Sequence, residues 1–208
     1  MARKPLTKPR KTASQERSRA TVDALVEATA RILVKEGFDK ASTNRIADVA
    51  GVSVGSLYQY FPTKEALVAA VIERHQQEIM QTVRGELAGI LGLPLEKAIR
   101  RLVTVAVAAH RVDPKLHRVV AEQIPRVGEL EKLAAFNREN YTLFKTYLEH
   151  RRDELRVHDL DLASFVCVTS IEALTHNAVL HHAKTFSDDT MDALVDEAVR
   201  LVMGYLKR

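Results

Sequence analysis

The sequence predicts an all-α protein of about nine helices, with a three-helix head at the N-terminal end joined to a larger helical domain. Strand signals are scarce, because the long segments favour Ala, Leu, Glu, Arg and Val with apolar residues three and four apart. With 46% hydrophobic residues, no Trp and only 8 Gly in 208 residues, the chain has enough apolar side chain for a sizeable core in one or two compact domains. Breaks at Gly and Pro then divide it into helix-length pieces.

Taken in order, residues 1–14 carry Arg3, Lys4, Lys8, Arg10 and Lys11 with two prolines and no acid. Such a segment is too polar to pack and is expected as a disordered basic arm. The head is expected over residues 15–75 and the larger domain over 76–208. Glu16 to Glu36 places Val22, Leu25, Val26, Ile32 and Leu33 at helical spacing, and Gly37 with Phe38 ends it. Asn44 to Ala50 and Val54 to Phe61 are two short periodic segments, separated by Gly51-Val52-Ser53, which is too short for anything but a tight bend. Gly51 ends the first of them in the left-handed backbone region, Ser42 or Thr43 caps its start, and Ser53 caps the second. Pro62 restricts Phe61, so the second stops there and Thr63 caps a long helix from Lys64 to about Leu87.

The run Gly89 to Pro94 opens the larger domain. Leu95 to Arg111 turns Ala98, Ile99, Leu102, Val103, Ala106 and Ala109 inward, and Lys115 to Ile124 is a short helix stopped at Pro125. From Gly128 a long helix reaches about Leu155, with Leu130, Leu133, Ala134, Tyr141, Phe144 and Leu148 as its stripe. Asp161 to Ala183 is apolar around most of its circumference, which a helix exposed on one side tolerates poorly. After Ser187 the last helix repeats Met191, Leu194, Val195, Ala198, Leu201, Val202 and Tyr205 at three and four residues. This last pair, packed on a symmetric copy, would form a four-helix homodimer interface; burial within one chain is the other reading.

Charge is divided unevenly. Through His75 there are 13 Lys and Arg against 8 Asp and Glu, whereas from Gln76 onward there are 18 against 19. The cationic excess of the first third is the sequence-independent part of an attraction to phosphates. Asn44, Val54, Gly55, Ser56 and Gln59 face outward from the two-helix corner, small or hydrogen-bonding and none acidic. A helix offered to a polyanion has that make-up, and the basic arm either follows the same phosphates or is a solvated tail.

Here the residues resemble a known family. The run from Ile46 to Leu67, IADVAGVSVGSLYQYFPTKEAL, is similar to the DNA-binding signature of the TetR/AcrR family of bacterial transcriptional regulators, and the likeness extends over Arg17 to His75. The resemblance implies a ligand-binding and dimerisation domain after the head, and dimerisation through the last two helices. It implies phosphate contacts from Thr43, Tyr58, Tyr60 and Lys64, and groove-facing positions at Asn44, Val54, Gly55, Ser56 and Gln59. Tyr60 also suits core packing. Arg45 departs from the commoner pattern, which has an acid before Ile46.

The function that follows is a homodimeric repressor on a palindromic double-stranded DNA operator, released by a small-molecule effector. An architectural or division-linked DNA-binding protein without effector would carry the same head. Polar residues on otherwise apolar stripes, His110, Asn137, Tyr141, His176 and Asn177, are the candidate ligand contacts. With no acidic cluster or cationic ring among them, an apolar or aromatic effector is expected. His181 and His182 are adjacent and point apart, and His110 and His176 lack a Cys or carboxylate at ligand spacing, so no metal or other cofactor is expected. No Ser, Cys or Lys stands in a nucleophile motif, and an enzyme is not expected. Cys167, the single cysteine, lies in an apolar run and reads as a small buried hydrophobe. Neither a signal peptide nor an uncharged run of 18 apolar residues is found, giving a cytoplasmic location with no membrane partner as the expectation.

Overall fold

The computed structural model describes residues 16–90, 92–128, 130–181 and 187–207. The basic arm, 1–14, lies outside them. Among the described residues the fold is all-α: α1 (Glu16–Glu36), α2 (Thr43–Ala50), α3 (Val54–Tyr60), α4 (Lys64–Ile90), α5 (Leu95–Arg111), α6 (Pro114–Val127), α7 (Leu130–Glu149), α8 (Leu160–His181) and α9 (Asp188–Leu206). A 3-10 turn at Arg152–Glu154 follows α7, and one isolated antiparallel bridge joins Leu155 to Lys207.

Two compact units divide the chain. The first joins residues up to Gln77 with Lys115–Leu133, and the second joins Glu78–Pro114 with Ala134–Arg208. The sequence placed 115–133 wholly with the larger domain; by packing it clusters with the head. Val120, Ile124 and Val127 of α6 are buried in the same core as Leu25, Ile46, Leu57 and Leu67. Within this unit Glu27 of α1 receives Arg74 of α4 at 3.0 Å, and the buried rings of His75 and His117 share a hydrogen bond of 2.8 Å.

Local chemistry sets the head's corner. Ser42 caps α2 by accepting from the Arg45 N–H, and Ser53 caps α3 by accepting from the Ser56 N–H. Between them Gly51 stands at φ 69°, where its N–H reaches Asp48 O and that of Val52 reaches Ala47 O, a Schellman closure. A residue with a Cβ resists that φ, which is why a glycine sits there. Phe61, held extended by Pro62 at φ −121°, caps α3 one residue earlier than expected.

Several helix ends differ from expectation. α4 runs on to Ile90, through Gly85 and Gly89, because glycine weakens a helix without breaking it. α6 passes Pro125 to Val127: a proline so close to the end removes one hydrogen bond, Val127 is fully buried, and Gly128 at φ 75° makes the stop. α7 ends at Glu149 rather than Leu155, which is buried and bridged to Lys207; the Arg156 N–H donates to Leu206 O at 2.9 Å.

The second unit is built on α5, α8 and α9. Ile99, Val103, Phe144, Leu148, Cys167, Ala198 and Val202 belong to one core, and burial pushes the Cys167 thiol up to about 12, so it stays protonated and packs as a hydrophobe. By length and composition Leu160–Leu180 of α8 could cross a membrane, with mean hydropathy 1.2, yet one face packs on α5 and α9. Only 39% of its most apolar window is buried within one protomer, and Leu162 and Phe165 of α8 and Leu201 of α9 remain half exposed.

Because Gly51 sets the corner, Gly51→Ala is expected to lower unfolding free energy by about 1–2 kcal/mol. Urea denaturation reads this directly, and an unchanged midpoint would contradict the role given to the left-handed turn.

Candidate DNA-reading face and effector cavity

On α3 the side chains divide by face. Leu57 is fully buried and Tyr60 is 7% exposed, both in the head's core, whereas Val54, Gly55, Tyr58 and Gln59 are exposed together. The spacing i, i+1, i+4, i+5 makes one helical stripe. Asn44 is exposed on α2 beside it, and Thr43, half-buried, is joined to Tyr58 by a hydroxyl–hydroxyl hydrogen bond of 3.1 Å. That bond ties the start of α2 to the middle of α3 and fixes where both hydroxyls point.

Gly55 is informative because its neighbourhood does not demand it. A Cβ there would meet only Ser53 Oγ, at 3.9 Å, so alanine fits the protein's own structure. Glycine within a helix costs about 0.5–1 kcal/mol relative to alanine. The bare backbone is therefore open toward whatever lies outside.

The remaining residues fall differently. Ser56 is half-buried, with its hydroxyl 2.9 Å from Ser53 Oγ at the helix cap. Tyr60, for which both a phosphate contact and core packing were expected, packs in the head's core, since the turn of α3 that exposes Tyr58 carries Tyr60 to the opposite side. Lys64 donates from Nζ to Phe38 O at 3.2 Å and lies over the Phe38 ring, 4.1 Å from its centroid. Arg45, the departure from the signature, bridges Glu36 at 3.2 Å and Asp48 at 3.3 Å, tying α2 to the end of α1.

The second unit contains a cavity of about 90 Å³, between α4, α5, α7 and α8. Ile79, Val83, Leu102, Phe144, Val168 and Ile171 make most of its wall, and the polar groups are His110, Asn140 and Glu172. His110 is 2% exposed, with Nδ1 2.6 Å from Ala106 O and Nε2 3.2 Å from Glu172 Oε1. A carbonyl and an ionised carboxylate only accept, so this pair of partners favours the form in which both ring nitrogens donate, the charged imidazolium. Burial works against that charge, but the hydrogen bond and field of Glu172, with the Ala106 carbonyl, raise His110 above its ordinary 6.5.

Of the five expected ligand contacts, only His110 lines this cavity. His176 is half-buried and meets the His110 ring edge-on at 5.7 Å. Tyr141 is paired with Thr169 at 3.3 Å and with the Phe165 ring; Asn177 is exposed and donates to its own helix at Ala173 O; Asn137 is half-buried away from the wall. Glu172 was missed, and it supplies the carboxylate that spacing along one helix did not offer His110. The sequence signal was a charge in the interior of a mostly apolar helix.

A helix-turn-helix head followed by a helical unit with an apolar cavity defines a class of DNA-binding regulators. The model of the bacterial regulatory proteins of the tetR family matches residues 25–71, and that of the tetracyclin repressor-like C-terminal domain matches residues 94–206, more than half of the chain. The chain belongs to the TetR family of bacterial transcriptional regulators, which are not enzymes. Relatives include the nucleoid occlusion factor SlmA of Haemophilus ducreyi, 27% identical over 116 residues, 56% of this chain and 55% of that protein. The transcriptional repressor KstR of Mycolicibacterium smegmatis is 34% identical over 117 residues, 51% and 56% of the two chains. The chain thus spans about half the length of these relatives. A candidate TetR-family regulator from Mesorhizobium loti shares the fold, with TM-score 0.76 over 93% of this chain and 100% of that one at 17% identity. So does SmeT, the repressor of the Stenotrophomonas maltophilia multidrug efflux pump SmeDEF, with TM-score 0.65 over 91% and 93% at 19% identity.

The raised His110 gives a pH dependence of known sign. A folded pKa above the unfolded one adds stability that is present below about 6.5 and is lost as pH rises through the raised value. Melting temperature should therefore fall more for the wild type than for His110→Gln between pH 6 and 8, and equal slopes would contradict the charged imidazole.

Proposed function

We propose that the chain is a homodimeric repressor that holds a near-palindromic operator and leaves it when a small apolar or aromatic effector enters the cavity. The observation that carries the reading is the exposed, acid-free stripe Val54, Gly55, Tyr58 and Gln59, with Asn44 beside it. Set in a major groove, Gln59 and Asn44 match adenine edges, Val54 a thymine methyl, and the bare Gly55 backbone a close approach. Thr43 and Tyr58 present hydroxyls to phosphates, and Ser56 stands behind them at the helix cap. Lys64, with one proton given to Phe38 O, has two more for the DNA backbone.

The half-exposed Leu162, Phe165 and Leu201 support a dimer through α8 and α9, two helices in contact with each other, since large apolar side chains bared on neighbouring helices are a liability on a lone protomer. Two heads on one dimer then meet two half-sites, and an effector acts by favouring head spacings that fit only one. SmeT is also known in a complex with triclosan, which supports effector entry in a protein of this fold. Work on bacterial DNA supports a cytoplasmic location. The second reading, a division-linked DNA-binding protein without effector, is favoured by the likeness to SlmA. Footprinting upstream of the chain's own gene and its neighbours, with and without candidate ligands, separates the two: many dispersed sites indifferent to ligand would defeat the repressor.

Gly55→Ala should raise the melting temperature slightly while weakening operator binding at least about tenfold, or ~1.4 kcal/mol. Gln59→Ala should change sequence preference, whereas Tyr58→Phe and Lys64→Ala should weaken all sequences alike, and Lys64→Ala, which removes a cation, should also reduce the salt slope of binding. Equal losses on operator and random DNA for all of these would sink the assignment. For the dimer, Phe165→Glu should yield monomers in sedimentation analysis, and a monomeric wild type would end that part of the proposal.

A further inference from the structure

The effector cavity carries a rule about ligand charge, which rests on the effector reading above and makes it more specific. Its polar corner is already an ion pair. His110, buried against Ala106 O and Glu172, is cationic by its two acceptors, and Glu172, with its side chain 53% exposed, is the anion. His176 stands edge-on to the same imidazole, and Asn140 is the neutral polar group on the facing helix α7. Among the described residues the rest of the wall is hydrocarbon.

Each class of ligand head meets this corner differently. A carboxylate can approach the His110 N–H only by crowding Glu172, which sets two like charges on one imidazolium. An ammonium meets Glu172 but is repelled by the charged ring beside it. A hydroxyl or similar neutral group leaves the pair intact and finds Asn140, which both donates and accepts. Size narrows the choice further: about 90 Å³ is several times the roughly 10–15 Å³ that one water needs and smaller than the roughly 150 Å³ of a dry cavity that takes up benzene, which limits the apolar body to about one ring. We propose that the cavity selects compact, uncharged ligands, an apolar body of about one ring with a neutral hydrogen-bonding end, and rejects the corresponding acids and amines.

Three probes of one skeleton test this by calorimetry on the full chain at pH 7 without DNA: benzyl alcohol, benzoate and benzylamine. Benzyl alcohol should bind at least about tenfold more tightly than either ion. In Glu172→Gln the anion that repels benzoate is gone, and benzoate can take its place as the acceptor that keeps the imidazole protonated, so benzoate should gain at least about tenfold over its affinity for the wild type, with proton uptake on binding. Ala106→Leu, which fills the cavity, should abolish binding, and Ala109→Leu gives the same reading if the first variant fails to fold. Benzoate or benzylamine binding the wild type as tightly as the alcohol would overturn the rule, as would no binding by any of the three. Unchanged benzoate affinity in Glu172→Gln would overturn it too. Because no DNA is present, a reversed order of affinities defeats the charge rule alone. Operator DNA that no ligand releases defeats the effector reading, and leaves the order of affinities standing.

Discussion

The bend at Gly51 governs the head. Its left-handed φ brings α3 back on α2 within three residues, so that Ile46, Ala47 and Leu57 share one core while the opposite side of α3 is turned outward. A looser bend would leave Ile46 and Leu57 without each other and would separate the Thr43 and Tyr58 hydroxyls. Lys64 on Phe38 and Arg45 on Glu36 are secondary ties around this corner. Both are partly solvated, and such contacts are worth a few tenths to about 1 kcal/mol, against about 1.5–3 kcal/mol for each fully buried aliphatic side chain. Apolar packing therefore holds the corner, and the charged groups adjust it.

The head was legible because its information is local. Caps, a glycine and alternating faces lie within 26 consecutive residues, and Ser42, Gly51, Ser53 and Phe61 each do in the structure what their side chains require. Tyr60 was ambiguous for a physical reason: an amphipathic ring at a helix corner suits both core and phosphate, and only the rotation of α3 decides between them. Pro125 misled in another way. It forbids a hydrogen bond but not two more residues of helix when a buried valine follows.

The cavity was less legible because it is assembled across the sequence. A polar residue on an apolar stripe signals an exception without saying what lies opposite. Asn177 bonds its own helix and Tyr141 bonds Thr169, whereas His110 meets a carboxylate 62 positions away. Periodicity reports which face of a helix is buried, and the identity of the facing side chain comes only with the packing of α5 against α8.

One feature of the head bears on how such a chain is cut and made. The first compact unit draws on residues 16–77 and again on 115–133, so it is discontinuous in sequence. A fragment ending at Gln77 would lose Val120, Ile124 and Val127 and bare the aliphatic surface they cover, a deficit of several kcal/mol. During synthesis the same gap means that the DNA-reading end, although made first, completes its core only after α5 and α6 have left the ribosome. The part of the molecule whose sequence is most self-explanatory is thus not self-sufficient as a folding unit.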